Sequence, residues 1–582
     1  MSANEKDEAV KAAHRQYLLG VSYRTATDGE RQSNLENAIV CFKAALDGYK
    51  IDTFPQEWAR AQHDLGVAYR SLPAGDRQLH LKKAIACFQF ALEVYTRETV
   101  PLAWADTHYQ LALSYFAMPT HEPLIPLQKA LHSLQATLKV YTRETFPKQW
   151  ADVYHSLGDL YCLLPSDDRY TLLQKAIACY ETALQVYTPE CFPESWAAVQ
   201  HSLGNVYTFL PAGDHHEHLH QAVAYYQAAL RVNTYDAYPQ HWADTMYSLG
   251  NGYRKLAEYE GDHYLQEALA CYEAAVCVYS QATTPLQWAA VQNNLGITYN
   301  LLNKGNEQSA LERALSCFRA ALEVYSYEES PFEWAKTQNM LGLTYLDLAS
   351  GDQQENLQRA VAAFEETLRV YTRQAFPLGW ATVLQNLGSA YYNLAGDDYQ
   401  AHLEKAIACY EGALQVYNRK AFPLDWAKVQ NSMGSAYFAL TSGDRQKNMQ
   451  QAIACYRAAL LVYNCEQTPK EWALTQHNLG NAYSNVQGER RQEYLERAIA
   501  LYQATLKVYG PETFPFEWAA NHYNCGHAYR ELMRGNRRGN LENALTCYEH
   551  ALQIFTTLHM DEYVLGAQEN MEKVREMLQG LA

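Results

Sequence analysis

Eleven tryptophans stand in this sequence, and each lies 46 residues from the next: Trp58, Trp104, Trp150, Trp196, Trp242, Trp288, Trp334, Trp380, Trp426, Trp472 and Trp518. A proline precedes every one by three residues, from Pro55 to Pro515. One period running through 582 residues overrides the roughly three to four globular domains that length alone suggests. It calls for a stack of equivalent units, each burying a face on its neighbours.

Positions are numbered from the tryptophan. Offsets 0, +4, +7, +11 and +14 fall within about 40° of one another on a helix, which gives one buried stripe. In the fourth unit they are Trp150, Tyr154, Leu157, Tyr161 and Leu164. The proline suits the first turn of this helix, where its missing N–H costs nothing. Offset +8 is Gly in 11 of 12 units and Ala112 in the other, which points to close helix packing. A turn often containing Gly-Asp follows, as at Gly75-Asp76, Gly351-Asp352 and Gly443-Asp444. Gly ends one helix in the left-handed region, and Asp caps the next. A second helix then carries Ala at +26 in all 12 units, an aromatic residue in most units at +30, and usually Ala at +33, Leu at +34 and Tyr at +37.

The first unit has Ala12 at offset zero, and the last aligned helix has Val564 there but Glu572 and Arg575 where Gly and Tyr belong. The expected organisation is therefore a polar tail over 1–8, an array of 12 helix pairs over 9–557, and a capping helix over 558–582. A terminal element with a polar outer face stops such a stack from growing.

Leu65-Gly66-x-x-Tyr69, followed by Ala84, Phe88 and Ala91, resembles the tetratricopeptide repeat (TPR). The unit is longer than the family's usual 34 residues, and its tryptophan stands one turn earlier than the family's. It is similar to the lengthened repeats of kinesin-light-chain-like proteins and of bacterial arrays associated with CHAT peptidases. The resemblance implies an all-α, right-handed TPR superhelix and a non-enzymatic scaffold or adaptor that binds a protein or peptide in its concave groove. The alternative it implies is a sensing or regulatory partner of a bacterial signalling or defence enzyme, a protease or ATPase supplied in trans.

In the family the first helices line the groove, so resemblance places offsets +2, +5, +6 and +9 there. Offset +5 reads Tyr17, His63, Tyr109, His155, His201, Tyr247, Asn293, Asn339, Gln385, Asn431, His477 and Tyr523. Each can hydrogen-bond, and none is Lys or Arg, so the clamp that grips chaperone carboxylates lacks its central residue. Asn294, Asn386, Asn478 and Asn524 continue the track at +6, with Ser156, Ser202, Ser248 and Ser432. Such a track suits an extended peptide backbone; the alternatives are bridges between adjacent repeats or side chains that simply face water. Partner choice is expected at the variable offsets +2 and +9: Asp106, Asp152, Asp244 and Asp159 in the first half, Lys336 and Lys428 in the second.

Other classes of chemistry find little support. The net charge of -17 disfavours nucleic acid and anionic membrane, and no run approaches the ~18 apolar residues of a membrane span. The polar segment Met1 to Ala9 has no signal-peptide core, so a cytoplasmic protein is expected. Eight of the 13 cysteines share offset +29, which reads as small buried hydrophobes rather than disulfides or metal ligands. No nucleotide-binding or metalloprotease motif occurs, so neither enzyme activity nor a cofactor is expected. In the run Asp214-His215-His216-Glu217-His218-Leu219-His220, His216 and His220 are four apart and can share a helix face, with Asp214 nearby as a third metal ligand. As the run occurs in one repeat only, at a solvent turn, it is read as a solvated turn without a metal.

Overall fold

A computed structural model describes every residue except 1–2, 28–29, 74, 120–122, 167, 211–214, 303–307 and 582. Among the described residues it contains 25 helices and no strand. They form consecutive pairs that repeat the 46-residue period. From the second pair on, the first helix starts at the proline, as in Pro55–Ser71 and Pro147–Leu163. The residue before that proline is held out of the helical region, with φ -139° and ψ 62° at Phe146, as a following proline requires. Its carbonyl accepts the N–H of the tryptophan, 2.9 Å in Phe146–Trp150.

The turn chemistry matches the sequence. Gly75, Gly351 and Gly443 have φ of 98°, 79° and 71°. The aspartates that follow cap the second helices by accepting backbone N–H groups: Asp76 from Leu79, Asp352 from Gln354 and Glu355, Asp444 from Gln446 and Lys447.

Each first helix packs on its own second helix; within each of the two compact units described below, each second helix packs on the first helix of the following pair, and most first helices also touch the next first helix. The chain divides into two compact units, Met1–Thr283 and Thr284–Ala582. The first holds six pairs. The second holds six pairs and the closing helix Asp561–Gln579, whose Met571 and Val574 cover Leu541, Ala544 and Tyr548 of the last pair. Among the described residues no helix is long and apolar enough to cross a membrane.

The centre of each pair is not the tryptophan. Trp334 is buried, but the other ten indoles are only half-buried. Each stands in the first turn of its helix, where packing partners lie to one side. The ring at +30 is fully enclosed instead: Phe42, Phe88, Tyr272, Phe318, Phe364, Tyr502 and Tyr548 have no exposed surface. That ring lies against the +8 glycine. A Cβ on Gly388 would stand 2.7 Å from Cε1 of Tyr410, and one on Gly66 2.7 Å from Cε1 of Phe88. The exceptional Ala112 belongs to the one unit whose +30 residue is not aromatic, Leu134, and the two share a cluster. The missing ring leaves room for the methyl group.

Gly388→Ala should therefore destabilise the second compact unit by about 1–3 kcal/mol through overpacking, against the ~1 kcal/mol that Ala gains over Gly inside an ordinary helix. Guanidinium unfolding reads the sign. Adding Tyr410→Leu should cost less than it does alone, a favourable coupling of the kind that contacting residues show; strict additivity would count against the contact.

Candidate functional site

The polar row at +5 mostly ties each first helix to the next. His63 Nδ1 meets Thr107 Oγ1 at 2.9 Å, His201 meets Thr245 at 3.2 Å and His477 meets Asn521 at 3.2 Å. Asn293 meets Thr337 at 3.0 Å and Asn431 meets Thr475 at 3.2 Å. In every case the partner is offset +3 of the following unit. Tyrosines at +5 reach one turn further, to +6: Tyr17 to Asp64, Tyr109 to Ser156 and Tyr523 to Asn570 of the closing helix. His155 turns to Asp159 of its own helix, 3.7 Å away. Tyr247 packs its ring on Tyr272. Asn293, Asn294 and Gln385 are buried, and Asn386, Asn478 and Asn524 are half-buried. For Asn339, offset +3 of the following unit is Val383, which has no hydroxyl to offer, and its buried Oδ1 has no hydrogen-bond partner. Of the uses the sequence allows for this row, bridging between repeats is the one seen at these bonded positions.

Offset +9 varies for an internal reason. Where +30 is Tyr, its hydroxyl is received by a polar group at +9: Tyr180 donates to Asp159 (2.7 Å), Tyr226 to Asn205 (2.8 Å), Tyr272 to Asn251 (2.8 Å), Tyr456 to Ser435 (3.1 Å) and Tyr502 to Asn481 (2.7 Å). Ser389 and Tyr410 share a longer contact, 3.4 Å. Where +30 is Phe42, Phe88, Leu134, Phe318 or Phe364, offset +9 is Val21, Val67, Leu113, Ile297 or Leu343. The twelfth unit pairs Tyr548 with His527, and its buried hydroxyl has no partner. Asp159 therefore accepts a core hydroxyl, which gives the variation at +9 an internal cause beside the expected one of partner choice. A buried hydroxyl needs an acceptor; a buried phenyl ring does not.

A similar pairing joins +2 to +37. Asp152 accepts from Tyr187 (2.6 Å), Thr382 meets Tyr417 (2.7 Å), and Asp244 accepts from Tyr279. Asp106 bonds His63 Nε2 at 3.2 Å; burial alone would raise its pKa, but the His63 hydrogen bond and charge hold it below the ordinary carboxylate value. Lys336 and Lys428 are exposed.

Position +37 is aromatic in 11 of 12 units and Asn233 in the fifth, where +2 is Ala198. The absent ring leaves an open cavity of about 340 Å³ on the first helices of the fifth and sixth pairs, Pro193–Phe209 and Pro239–Glu260. It gathers the expected residues His155, His201, Tyr247 and Asp244 with Glu194, Asn233 and His241. Burial keeps His201 below the ordinary histidine pKa. Thr245 gives its proton to the carbonyl of His241 at 2.7 Å, so toward His201 Nδ1 it accepts. The neutral imidazole then carries its proton on Nδ1 and leaves Nε2 as an acceptor. Two carboxylates and an imidazole nitrogen make this a site for a hydrogen-bond donor. Sequence reasoning missed the cavity, although the lone Asn at +37 was visible in the alignment of repeats.

The histidine run lies apart from this cavity, at the start of His215–Ala229. His216 and His220 both reach Glu260, whereas Asp214 lies outside the described residues.

Neither a protein-family model nor a curated protein matches the sequence. Among solved structures, the chain is similar to the APC/C hetero-tetramer Cut9-Hcn1, at 15% identity over 99% of this chain and 96% of that one, with a TM-score of 0.38. Yeast Tom70 matches at 12% identity over 98% and 96%, TM-score 0.29, and the P58(IPK) TPR domain at 14% over 84% and 99%, TM-score 0.24. Scores this low carry no inference about function.

The pairing of +9 with +30 has a direct test. Asp159→Leu should leave the Tyr180 hydroxyl buried without its acceptor and cost about 1–3 kcal/mol. Adding Tyr180→Phe should recover most of that loss in urea unfolding. If the second change makes matters worse, Asp159 acts elsewhere.

Proposed function

We propose that the chain is a non-enzymatic protein-interaction scaffold that holds a peptide segment along the first-helix face of its first compact unit. The segment is anchored by a lysine or arginine side chain in the cavity beside Asn233. The observation that carries this reading is the single interruption of the +37 ring row, where Asn233 and Ala198 replace bulk and leave about 340 Å³ of space. Asp244, Glu194 and His201 line that space with acceptors, and a cationic donor meets carboxylates through charge-assisted hydrogen bonds. Asp106 and Asp152 add negative charge to first helices of the same compact unit, which favours a basic segment. Because the +5 row is engaged between repeats, the peptide is recognised by side chains entering such gaps rather than by a continuous amide ladder.

The test is selection of a displayed random-peptide library on the full-length chain, followed by fluorescence polarisation with the enriched peptides. Enriched sequences should share a basic residue. Asn233→Tyr, which restores the residue of ten other units at +37, should weaken binding at least roughly ten-fold, a change of about 1.4 kcal/mol, while the circular dichroism stays the same. If no sequence is enriched, or if Asn233→Tyr and Asp244→Asn both bind as tightly as the unaltered chain, the proposal fails.

A further inference from the structure

At offset +20, seven units carry Gln. Gln308, Gln354, Gln400 and Gln492 use it to reach the next pair, accepting the backbone N–H of Ala349, Ala395, Thr441 and Met533 respectively. In the fifth pair that position is His216, and one turn on, at +24, stands His220. Both direct Nε2 at the same atom, Oε1 of Glu260, at 2.5 Å for His220. The three donor atoms lie within 4.8 Å of one another.

Glu260 is delivered there by a change in the helix that carries it. Pro239–Glu260 is 22 residues long, whereas among the described residues the other proline-started first helices run 16 to 18. The added turn ends at Gly261, whose φ of 102° stops it. Tyr259 on that turn packs its ring 5.6 Å from the His216 ring. Two independent departures from the repeat, a histidine pair on one helix and an extended neighbour, therefore converge on one point.

We propose that His216, His220 and Glu260 bind a divalent transition metal, zinc by the chemistry of the set, which fastens the fifth helix pair to the sixth. Two imidazole nitrogens with i, i+4 spacing and one carboxylate oxygen supply three corners of a tetrahedral zinc site, with the fourth open to water. Ligand atoms about 2.0–2.1 Å from zinc stand roughly 3.3 Å apart, so His220 Nε2 and Glu260 Oε1, 2.5 Å apart here, must separate by about 0.8 Å, and the three donors already lie within 4.8 Å of one another. With side-chain exposures of 41%, 45% and 29% for His216, His220 and Glu260, they have the freedom to do so. The carboxylate is the harder ligand and the imidazoles the borderline ones, a combination that suits zinc over calcium or magnesium.

The test uses the full-length chain stripped with EDTA. Cobalt chloride is titrated and followed by absorption, and zinc chloride by calorimetry. The chain has 13 free cysteines, so the spectrum must separate them from this site: nitrogen and oxygen ligation gives ligand-field bands without a thiolate-to-cobalt charge-transfer band. One such site per chain is expected. His220→Asn and Glu260→Gln should each weaken it by at least the ten- to hundred-fold that loss of an outer-shell partner alone brings. A spectrum dominated by thiolate, no heat with zinc, or unchanged affinity in both variants overturns the proposal. Should a variant lose its helical circular dichroism, the cobalt spectrum of the unaltered chain decides alone.

Discussion

The contact on which the array depends is a ring laid against a helix that has no side chain at that point. The +30 aromatic and the +8 glycine are complementary in shape: one fills what the other vacates, and the two helices of a pair approach until the ring touches backbone. Everything else in a unit is arranged around this contact. The alanine at +26 lets the second helix come close, the tryptophan at the helix start covers the edge, and the polar partners at +9 exist because some of the rings carry a hydroxyl. A protein interior packed to crystal-like density tolerates little deviation at such a point. The third unit shows how the constraint is relaxed, by changing both residues together: Ala112 with Leu134.

Much of this was legible in the chain. The period, the proline-started helices, the Gly-Asp turns and the polar closing helix all follow from local rules that each repeat states again. Twelve copies of one unit also serve as an internal alignment, and the pairing of +9 with +30 can be read from it without coordinates. The variation at +9 follows the buried neighbour at +30, a cause that reading +9 only as a recognition position leaves out. The +5 row was harder. Its residue types suit a peptide backbone and an adjacent helix equally, and only the position of Thr107, Thr245 and Thr337 relative to His63, His201 and Asn293 settles which they meet. The tryptophans misled for a related reason. They are the most conspicuous residues of the repeat, but their indoles lie mostly at the rim of the layer.

The features that set one repeat apart were the least legible. Nothing in the sequence near His216 and His220 announces Glu260, because the two are joined by the length of an intervening helix rather than by spacing. The cavity beside Asn233 likewise arises from an absence, a ring that one unit lacks, and its walls come from two pairs. Both lie in the fifth and sixth pairs, which depart from the repeat at Asn233 and in the length of Pro239–Glu260.

A periodic backbone has a difficulty of its own: each step of 46 residues repeats the same helix placement, so one step differs from the next only in the side chains that vary. The missing ring at Asn233 is one such difference. It distinguishes its own step from the next, and under the proposed reading a segment seated by its anchor there has a defined alignment.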